Sequence, residues 1–303
     1  MGAPQEVQFR LMTYNVRGAI DADGAALERL TAVIADVAPD ILAVQEAAEY
    51  QDADGVWRSA LKAIAQAGAC GRHVHFAPTI SMREHLHVRK ALFVHGIFND
   101  WQDWQQGNAI LSRWGFVRLG EPSKPGLPRS VPLYRTPLYE GSRDTDPRYA
   151  LLARIDRAPL FPFLLNVHLT TLVAERGPEG GPAPTPNRAE EAQLLRLRQT
   201  RRLLDLVREH ILERGALLFL MGDFNAVASE PCIASVLEAE GGFVRLAPAD
   251  DLPATHLRAQ TPIDHILVYP GNRLLAYRCW VVDTPAARAA SDHLPVVADV
   301  TVC

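Results

Sequence analysis

An acid and an amide stand two residues apart at the end of an apolar run. In the stretch GALLFLMGDFN (215–225), six apolar residues lead through Gly222 to Asp223 and Asn225. On an extended strand end, side chains two residues apart face the same side. The acid and the amide would then offer a carboxylate beside a group that both donates and accepts hydrogen bonds. An Asx-turn or a helix cap uses the same residue types, so this pair alone leaves a chemical and a structural interpretation open.

Two further polar residues interrupt apolar stretches elsewhere. Glu46 ends the run DILAVQE (40–46), where a carboxylate is costly unless it is paired or bound to a metal. Mg²⁺ prefers such carboxylate ligands. His168 lies within LLNVHLTT, where it could contact a ligand or be a core histidine with a satisfied hydrogen bond. A surface acid at a strand end is the plain alternative for Glu46.

A second acid and histidine occur near the carboxyl end of the chain. Asp264 stands in PIDHI, and His293 stands in SDHLPV just before an apolar strand. An acid beside a histidine can orient the imidazole and stabilise its positive charge, as catalytic dyads require. A structural Asp–His pair is common as well, so each motif is weak alone.

The elements that must position these residues repeat once along the chain. Strand, polar tip, helix, strand and acidic tip occur first from strand 7–14 to Glu46, and again from strand 161–167 to Asp223 and Asn225. Helices predicted over 23–38 and 188–213 join the strands. Ligands bind at strand ends in open α/β sheets. Two such halves side by side would gather five polar residues at one rim: Asn15, Glu46, His168, Asp223 and Asn225.

The remaining pattern predicts an α/β protein without a strong internal linker. We expect one domain over residues 1–303, built from a mixed sheet or two packed sheets. Insertions or loops are predicted at about 71–106, 121–148 and 172–187, where histidines or Pro and Gly are frequent. Further strands are predicted at 108–113, near 115–120, and at 148–156, 263–269, 276–282 and 294–302.

Composition limits the function classes. The chain has 303 residues, 48% of them hydrophobic, and a formal net charge of −4, which argues against a generic nucleic-acid coat. Four scattered cysteines show no zinc spacing and are typical of reduced thiols. The start of the chain does not look like a signal peptide, and no apolar run is long enough to span a membrane. We therefore expect a cytoplasmic protein with no obligate protein partner.

Seven motifs in this order resemble the endonuclease/exonuclease/phosphatase (DNase I-like) superfamily. They are TYNV, QE, NAILSR, NVHL, GDFN, IDHI and SDHLPV, and they extend from residue 13 to residue 296. The resemblance implies a four-layer αββα sandwich, in which two packed mixed β-sheets are flanked by helices. It also implies hydrolysis of a phosphate ester with Mg²⁺ or Mn²⁺.

The resemblance implies metal ligands by position. Glu46 matches the principal metal ligand, and Asn15 matches its neighbour that helps to order the metal shell. Asp292 matches an acid sometimes placed at a second metal position.

It also implies catalytic roles. Asp223 matches the acid that activates or aligns water, and Asn225 matches the amide that orients water or phosphate. His168 matches a histidine that contacts a phosphate oxygen, and Asp264 and His293 match the Asp–His dyad. Whether Asp223 or His293 takes the proton from water stays open.

Substrate contacts are predicted less sharply. Asn108 and Ser112 lie in the strand that should border the cleft, and the histidine-rich segment 71–106 offers Arg89, Trp101 and Trp104. That segment could equally be a solvated insertion or hold a separate zinc ion through its histidine pairs.

The substrate class follows only in part. A nucleic-acid-type phosphodiester is slightly favoured, and a phospholipid or inositol-phosphate headgroup is the main alternative. Phe224 stands where the tyrosyl-DNA phosphodiesterase branch has threonine, which argues against that branch. A catalytically silent binding module on the same fold is a minor alternative.

Overall fold

Two β-sheets pack face to face at the centre of the protein. The computed structural model describes residues 5–18, 25–51, 55–81, 104–134, 143–176, 185–249 and 253–303. In these ranges the first sheet has the strand order β12-β13-β1-β2-β5-β4, with β3 paired to β2. Its strands are β1 (Val7–Gly18), β2 (Ile41–Gln51), β3 (Trp57–Ser59), β4 (His73–Ser81), β5 (Gln105–Ser112), β12 (Leu274–Val281) and β13 (Val296–Val302).

The second sheet has the order β10-β11-β9-β8-β7-β6 within the same ranges. Both sheets are mixed, because β1 pairs in parallel with β2 and β8 with β9, whereas the other pairs are antiparallel. Its strands are β6 (Arg129–Tyr134), β7 (Arg148–Arg154), β8 (Phe163–His168), β9 (Leu218–Asp223), β10 (Val244–Arg245) and β11 (Asp264–Tyr269).

Helices cover the outer face of each sheet. On the first sheet, α1 (Ala25–Val37), α2 (Ala60–Ala67) and α4 (Pro285–Ala290) bury their apolar residues against the strands. On the second sheet, α3 (Pro186–Val207) and a π-helix (Cys232–Glu240) do the same. A separate apolar cluster fills the space between the sheets. The predicted αββα layering, two packed mixed sheets with helices outside, is therefore confirmed.

The inner faces of the strands change from apolar to polar at one end. In β1, Phe9 and Leu11 face the core between the sheets, and the next inner positions are Thr13 and Asn15. In β9, Phe219 and Met221 precede Asp223 at the same spacing. Because side chains alternate along a strand, each polar tip continues the buried face of its own strand.

Polar side chains link the two sheets just below this rim. Gln45 Nε2 donates to Asn166 Oδ1 (2.7 Å) and to Thr13 Oγ1 (3.1 Å). Asn166 Nδ2 donates to the main-chain oxygens of Val44 and Ala109, each at 2.8 Å. Each of these three side chains is at most 1% exposed. We call these hydrogen bonds of Thr13, Gln45 and Asn166 the tie. The tie fixes the separation of the sheet ends, because separating buried polar groups from their partners destabilises the fold.

Three predicted boundaries need correction. The expected loop 121–148 contains β6, an edge strand in which Pro132 is tolerated because edge strands leave one hydrogen-bonding side unpaired. The expected strand near 115–120 forms only isolated bridges, Phe116 with Ile155 and Val117 with Pro125. The expected insertion 71–106 contributes β4 to the first sheet.

No helix in the described ranges is long and apolar enough to cross a membrane.

Candidate active site

A cleft of about 550 Å³ opens where the inner faces of both sheets turn polar. Most of the sequence-predicted site residues meet there. Seven line the cleft, namely Glu46, Asn108, His168, Asp223, Asn225, Asp292 and His293. Asn15 and Asp264 lie directly behind it, at 1% and 3% exposure.

Asn15 connects an acid of each sheet. Its Nδ2 donates to Glu46 Oε1 (3.1 Å) and to Asp223 Oδ2 (3.0 Å), and its Oδ1 accepts from Arg17 N (3.0 Å). Gln106 Nε2 donates to the other oxygen of Glu46 (3.2 Å). The amide therefore holds two carboxylates toward the same point while its own oxygen is occupied by the backbone.

Asp264 and His293 form a buried hydrogen-bonded pair. The Nδ1 of His293 donates to Asp264 Oδ2 (2.9 Å), so Nε2 is turned toward Asp223 Oδ2 at 3.7 Å. The backbone of Asp264 is fixed by Thr255, whose Oγ1 accepts from Asp264 N (3.1 Å). The backbone of His293 is fixed by Ser291 Oγ (3.2 Å). These contacts set the direction of the His293 ring.

Burial and neighbouring charges shift the pKa values of His293, Asp223 and His168. Burial opposes protonation of His293, but Asp264 and Asp223 outweigh it and raise its pKa to about 10. Burial, followed by the charge of Asp264, raises the pKa of Asp223. Burial, with Arg148 and His293 adding to the effect, lowers the pKa of His168 well below its usual 6.5.

Three site residues have left-handed backbone conformations that non-glycine residues seldom adopt. They are Arg17 (φ 47°), Glu46 (φ 56°) and Asn225 (φ 50°). Such conformations cost free energy and occur frequently at functional sites. At Gly222 (φ 151°), an added Cβ would lie 2.0 Å from Val167 O, so glycine permits the close approach of β8 and β9 beneath Asp223.

Asn225 is held from three directions. Its main-chain N donates to Asp223 Oδ1 (2.8 Å), and its Nδ2 donates to Leu169 O (3.1 Å). Arg176 Nη1 donates to Asn225 Oδ1 (3.0 Å), and Nη2 of Arg176 contacts the main-chain oxygen of Asn225. Arg176 is a site residue that sequence reasoning missed, because it stands beside a Pro- and Gly-rich stretch and belongs to no motif.

Other cleft residues also had no sequence signal. His256 packs edge-on against the ring of His293, with centroids 4.7 Å apart. In the described ranges, four arginines besides Arg176 line the cleft: Arg17, Arg143, Arg148 and Arg258.

Asp292 lies in the cleft, where two arginine side chains are close to its carboxylate. Its Oδ2 lies 3.3 Å from Arg17 Nε and 4.0 Å from Arg258 Nε. A metal at Asp292 would compete with these arginines, and its role as a second metal ligand stays a prediction.

Of the residues predicted to contact substrate, some line the cleft and others do not. Asn108 lines the cleft, and its Nδ2 donates to Tyr149 O (3.2 Å). Ser112 does not reach the cleft, because it lies four residues farther along β5, where its buried Oγ accepts from Trp114 N (3.0 Å). Trp104 is half-buried and is not among the cleft-lining residues. Arg89 and Trp101 lie outside the described residues.

The oxygen donors at the rim fit a hard divalent cation. Glu46 and Asp223 converge on one amide nitrogen, and two carboxylates so placed repel each other unless a cation lies between them. The Glu46 side chain is 32% exposed, which leaves room for the waters that Mg²⁺ retains. Asp223, Asp264 and His293 also have ligand atoms within 4.8 Å of one another, but the hydrogen bond between Asp264 and His293 already occupies two of them.

The sequence matches the profile of the Endonuclease/Exonuclease/phosphatase family over residues 12–293. The chain belongs to this family. Its members hydrolyse phosphate esters and generally depend on a divalent metal, so membership supports a phosphoesterase activity of the nuclease or phosphatase type. No curated protein sequence matches the chain closely enough to count as a relative.

Solved structures share this family fold. An endonuclease/exonuclease/phosphatase from Beutenbergia cavernae is 21% identical with a TM-score of 0.65, and the match covers 97% of this chain and 72% of that one. A family protein from Bacteroides vulgatus is 14% identical with a TM-score of 0.64, covering 98% and 100%. Truncated TDP2 from Caenorhabditis elegans is 19% identical with a TM-score of 0.58, covering 97% of each chain. At these identities the likeness shows the fold alone.

Proposed function

We propose that the chain is a divalent-metal-dependent phosphodiesterase that promotes in-line attack of water on a phosphate ester. The observation that carries this proposal is the convergence of Glu46, Asn15 and Asp223 from two different sheets beside the Asp264–His293 pair. A purely structural polar cluster would have no reason to border a cleft of this size.

Glu46 would hold Mg²⁺ or Mn²⁺, with Asn15 and Gln106 orienting its carboxylate. When bound, the cation supplies Lewis-acid stabilisation of the charge on the phosphoryl oxygens. The amide of Asn15 keeps the two carboxylates at a fixed separation, which preorganises the site before substrate arrives.

The other residues handle the proton and the phosphate. Asp223 accepts a proton from the attacking water, since Asn225 N and Asn15 Nδ2 hold its carboxylate in one orientation. His293, anchored through Nδ1, presents its Nε2 proton to a phosphoryl oxygen. His168 Nε2 lies 3.5 Å from Asp223 Oδ2 and 3.8 Å from Glu46 Oε1, where it can contact another oxygen of the same phosphate.

A nucleic-acid-type phosphodiester is the substrate class that we favour. Among the described residues, five arginines and four acids line the cleft, so a chain whose net charge is −4 still offers cations where a phosphate would bind. Phospholipid or inositol-phosphate headgroups offer the same phosphate chemistry and form the alternative.

Hydrolysis of bis(p-nitrophenyl) phosphate tests the reaction class. We expect turnover with Mg²⁺ or Mn²⁺, loss of turnover in EDTA, and a loss on the order of 10³-fold in Asp223→Ala. Asp205→Ala on α3, whose side chain is 76% exposed, is the matched control and should keep full activity. Metal-independent turnover, or an active Asp223→Ala variant, would overturn the proposal.

The substrate class is tested by comparing kcat/KM on single-stranded DNA, RNA, sphingomyelin vesicles and phosphoinositide vesicles. A preference for either nucleic acid supports the favoured class. A preference for either vesicle replaces it with the alternative.

A further inference from the structure

Among the described residues, two arginines are buried in the second sheet and in the helix α3 that covers it, and they differ in how completely they are paired. Arg196 on α3 is 1% exposed. Its Nε and Nη2 donate to both oxygens of Glu230 at 2.9–3.1 Å, and its Nη1 lies 2.7 Å from Glu175 Oε1 and 3.1 Å from Thr170 O. Burial of a guanidinium is tolerable there because its donors are met by two carboxylates and a carbonyl.

Arg148 lacks such a set. Its side chain is 7% exposed, and one carboxylate contact serves it among the described residues, from Nη2 to Asp146 Oδ2 at 3.4 Å. Its Nε is enclosed and has no hydrogen-bond partner in the part of the chain that the structure describes. A buried cation with one long contact is expensive unless another anion completes it.

The position of Arg148 points to the source of that anion. Arg148 begins β7, and Ala150 pairs with Val167, so the antiparallel register sets Arg148 beside the end of β8 that carries His168. Arg148 and Asp146 both line the cleft. The neighbouring cation Arg176 is already engaged by Asn225 and by Glu175, at 3.6 Å from the latter.

We infer that Arg148 is an oxyanion-binding residue, and that it takes a phosphate group of the substrate on the His168 side of the cleft. A guanidinium matches the geometry of phosphate oxygens and binds them through charge-assisted hydrogen bonds. The inference rests on the proposed function for its substrate, but the binding step needs neither metal nor turnover. Asp146 competes with the phosphate for the same guanidinium and thereby tunes its affinity.

Isothermal titration calorimetry of inorganic phosphate binding to the full chain, in EDTA and at constant ionic strength, tests the role of Arg148. We expect Arg148→Gln to weaken phosphate binding about 10- to 100-fold, the size of a lost charge-assisted contact. Arg148→Lys should fall between Arg148→Gln and wild type because it retains the charge but loses the fork of donors. Arg113→Gln is the matched control, because this substitution removes the same charge at an exposed site outside the cleft.

Asp146→Asn gives an effect of opposite sign and does not depend on Arg148→Gln folding. Loss of the competing carboxylate should tighten phosphate binding about two- to fivefold. A purely structural role for Arg148 would instead lower the melting temperature of these variants without changing phosphate affinity.

The outcomes separate this inference from the proposed function. Phosphate binding that needs Arg148 in a protein without turnover leaves the inference standing and removes the phosphodiesterase. Turnover together with unchanged phosphate affinity in Arg148→Gln and Asp146→Asn does the reverse. Absence of phosphate binding by wild type, or an equal loss in Arg113→Gln, also overturns the inference.

Discussion

The two carboxylates at the rim occupy different surroundings although one amide touches both. Asp223 is 1% exposed and lies against the buried pair of Asp264 and His293, which we call the dyad corner. Glu46, Gln106 and Asn15 form the open corner, where the Glu46 side chain is 32% exposed. The second sheet contributes Asp223 and Asp264 to the dyad corner, and the segment between α4 and β13 contributes His293. The first sheet contributes the open corner.

This difference separates two kinds of chemistry. In the dyad corner, low exposure and hydrogen bonds fix both geometry and charge state, as proton transfer requires. In the open corner, a carboxylate with space for solvent suits a hydrated cation. The comparison predicts that variants of the two corners fail in different measurements, and four experiments test this from the largest effect to the smallest.

Asp264→Asn should give the largest effect. It leaves the shape of the dyad corner but removes the charge that orients and stabilises His293, so kcat should fall on the order of 10³-fold or more. The affinity for Mn²⁺, measured by calorimetry, should stay within a few-fold of wild type. A variant with unchanged kcat and weakened metal binding would reverse the assignment of the two corners.

Glu46→Gln should mainly weaken metal binding. The neutral amide keeps the size of the side chain but loses the charge that attracts a cation, so the Kd for Mn²⁺ should rise on the order of 100-fold. Excess metal should restore part of the activity, as it should not in Asp264→Asn. Equal metal affinity in Glu46→Gln and wild type would refute the open corner as the metal site.

Asn166→Leu should loosen the tie that sets the distance between the corners. Val44 O, Ala109 O and Gln45 lose their partner, and the free energy of unfolding should fall by about 2–3 kcal/mol. The melting temperature should drop by about 3–5 °C. The double variant with Gln45→Leu should cost less than the sum of the single changes, because one unpaired donor disappears. Strict additivity would contradict the coupling.

The smallest effect concerns stability against pH in EDTA. The folded pKa of His293, about 10, lies above its usual 6.5. The native state therefore binds a proton that the unfolded state has lost, so this stabilisation is complete below pH 6.5 and disappears as pH rises toward 10. Between pH 7.5 and 8.5 the free energy of unfolding should fall by about 1 kcal/mol through this group.

Urea unfolding of wild type and His293→Gln across this range measures the slope. His293→Gln should flatten it, whereas His210→Gln, at an exposed position, should not. Equal slopes in wild type and His293→Gln would show that the dyad corner does not hold this proton.

Much of the fold follows from local pattern. Apolar alternation located β1, apolar runs located β8, β9 and β11 within a few residues, and the helical stripe located α3. The pattern failed at β6, where Pro132 in an edge strand imitates a loop, and at Phe116–Val117, where isolated bridges imitate a strand. In both cases the partner strand, rather than the segment itself, decides the outcome.

The candidate site likewise contains residues that the sequence pattern found and residues that it did not. Asn15, Glu46, His168, Asp223 and Asn225 were found because each follows an apolar run. Arg176 was missed because nothing distinguishes it locally from other arginines. Ser112 was expected at the cleft because of its motif, but β5 runs away from the cleft beyond Asn108.

The sequence by itself determined which strands end in polar residues, on which face of each strand those residues lie, and the family to which the chain belongs. Side-chain alternation and apolar periodicity are local properties, so they can be read without knowing the neighbours. Only the tertiary structure decided that Asn15 reaches Asp223, 208 positions away, and that Arg196 is fully paired while Arg148 is not. Those outcomes depend on how two sheets pack and on which charges burial leaves without partners, and neither property belongs to any one segment.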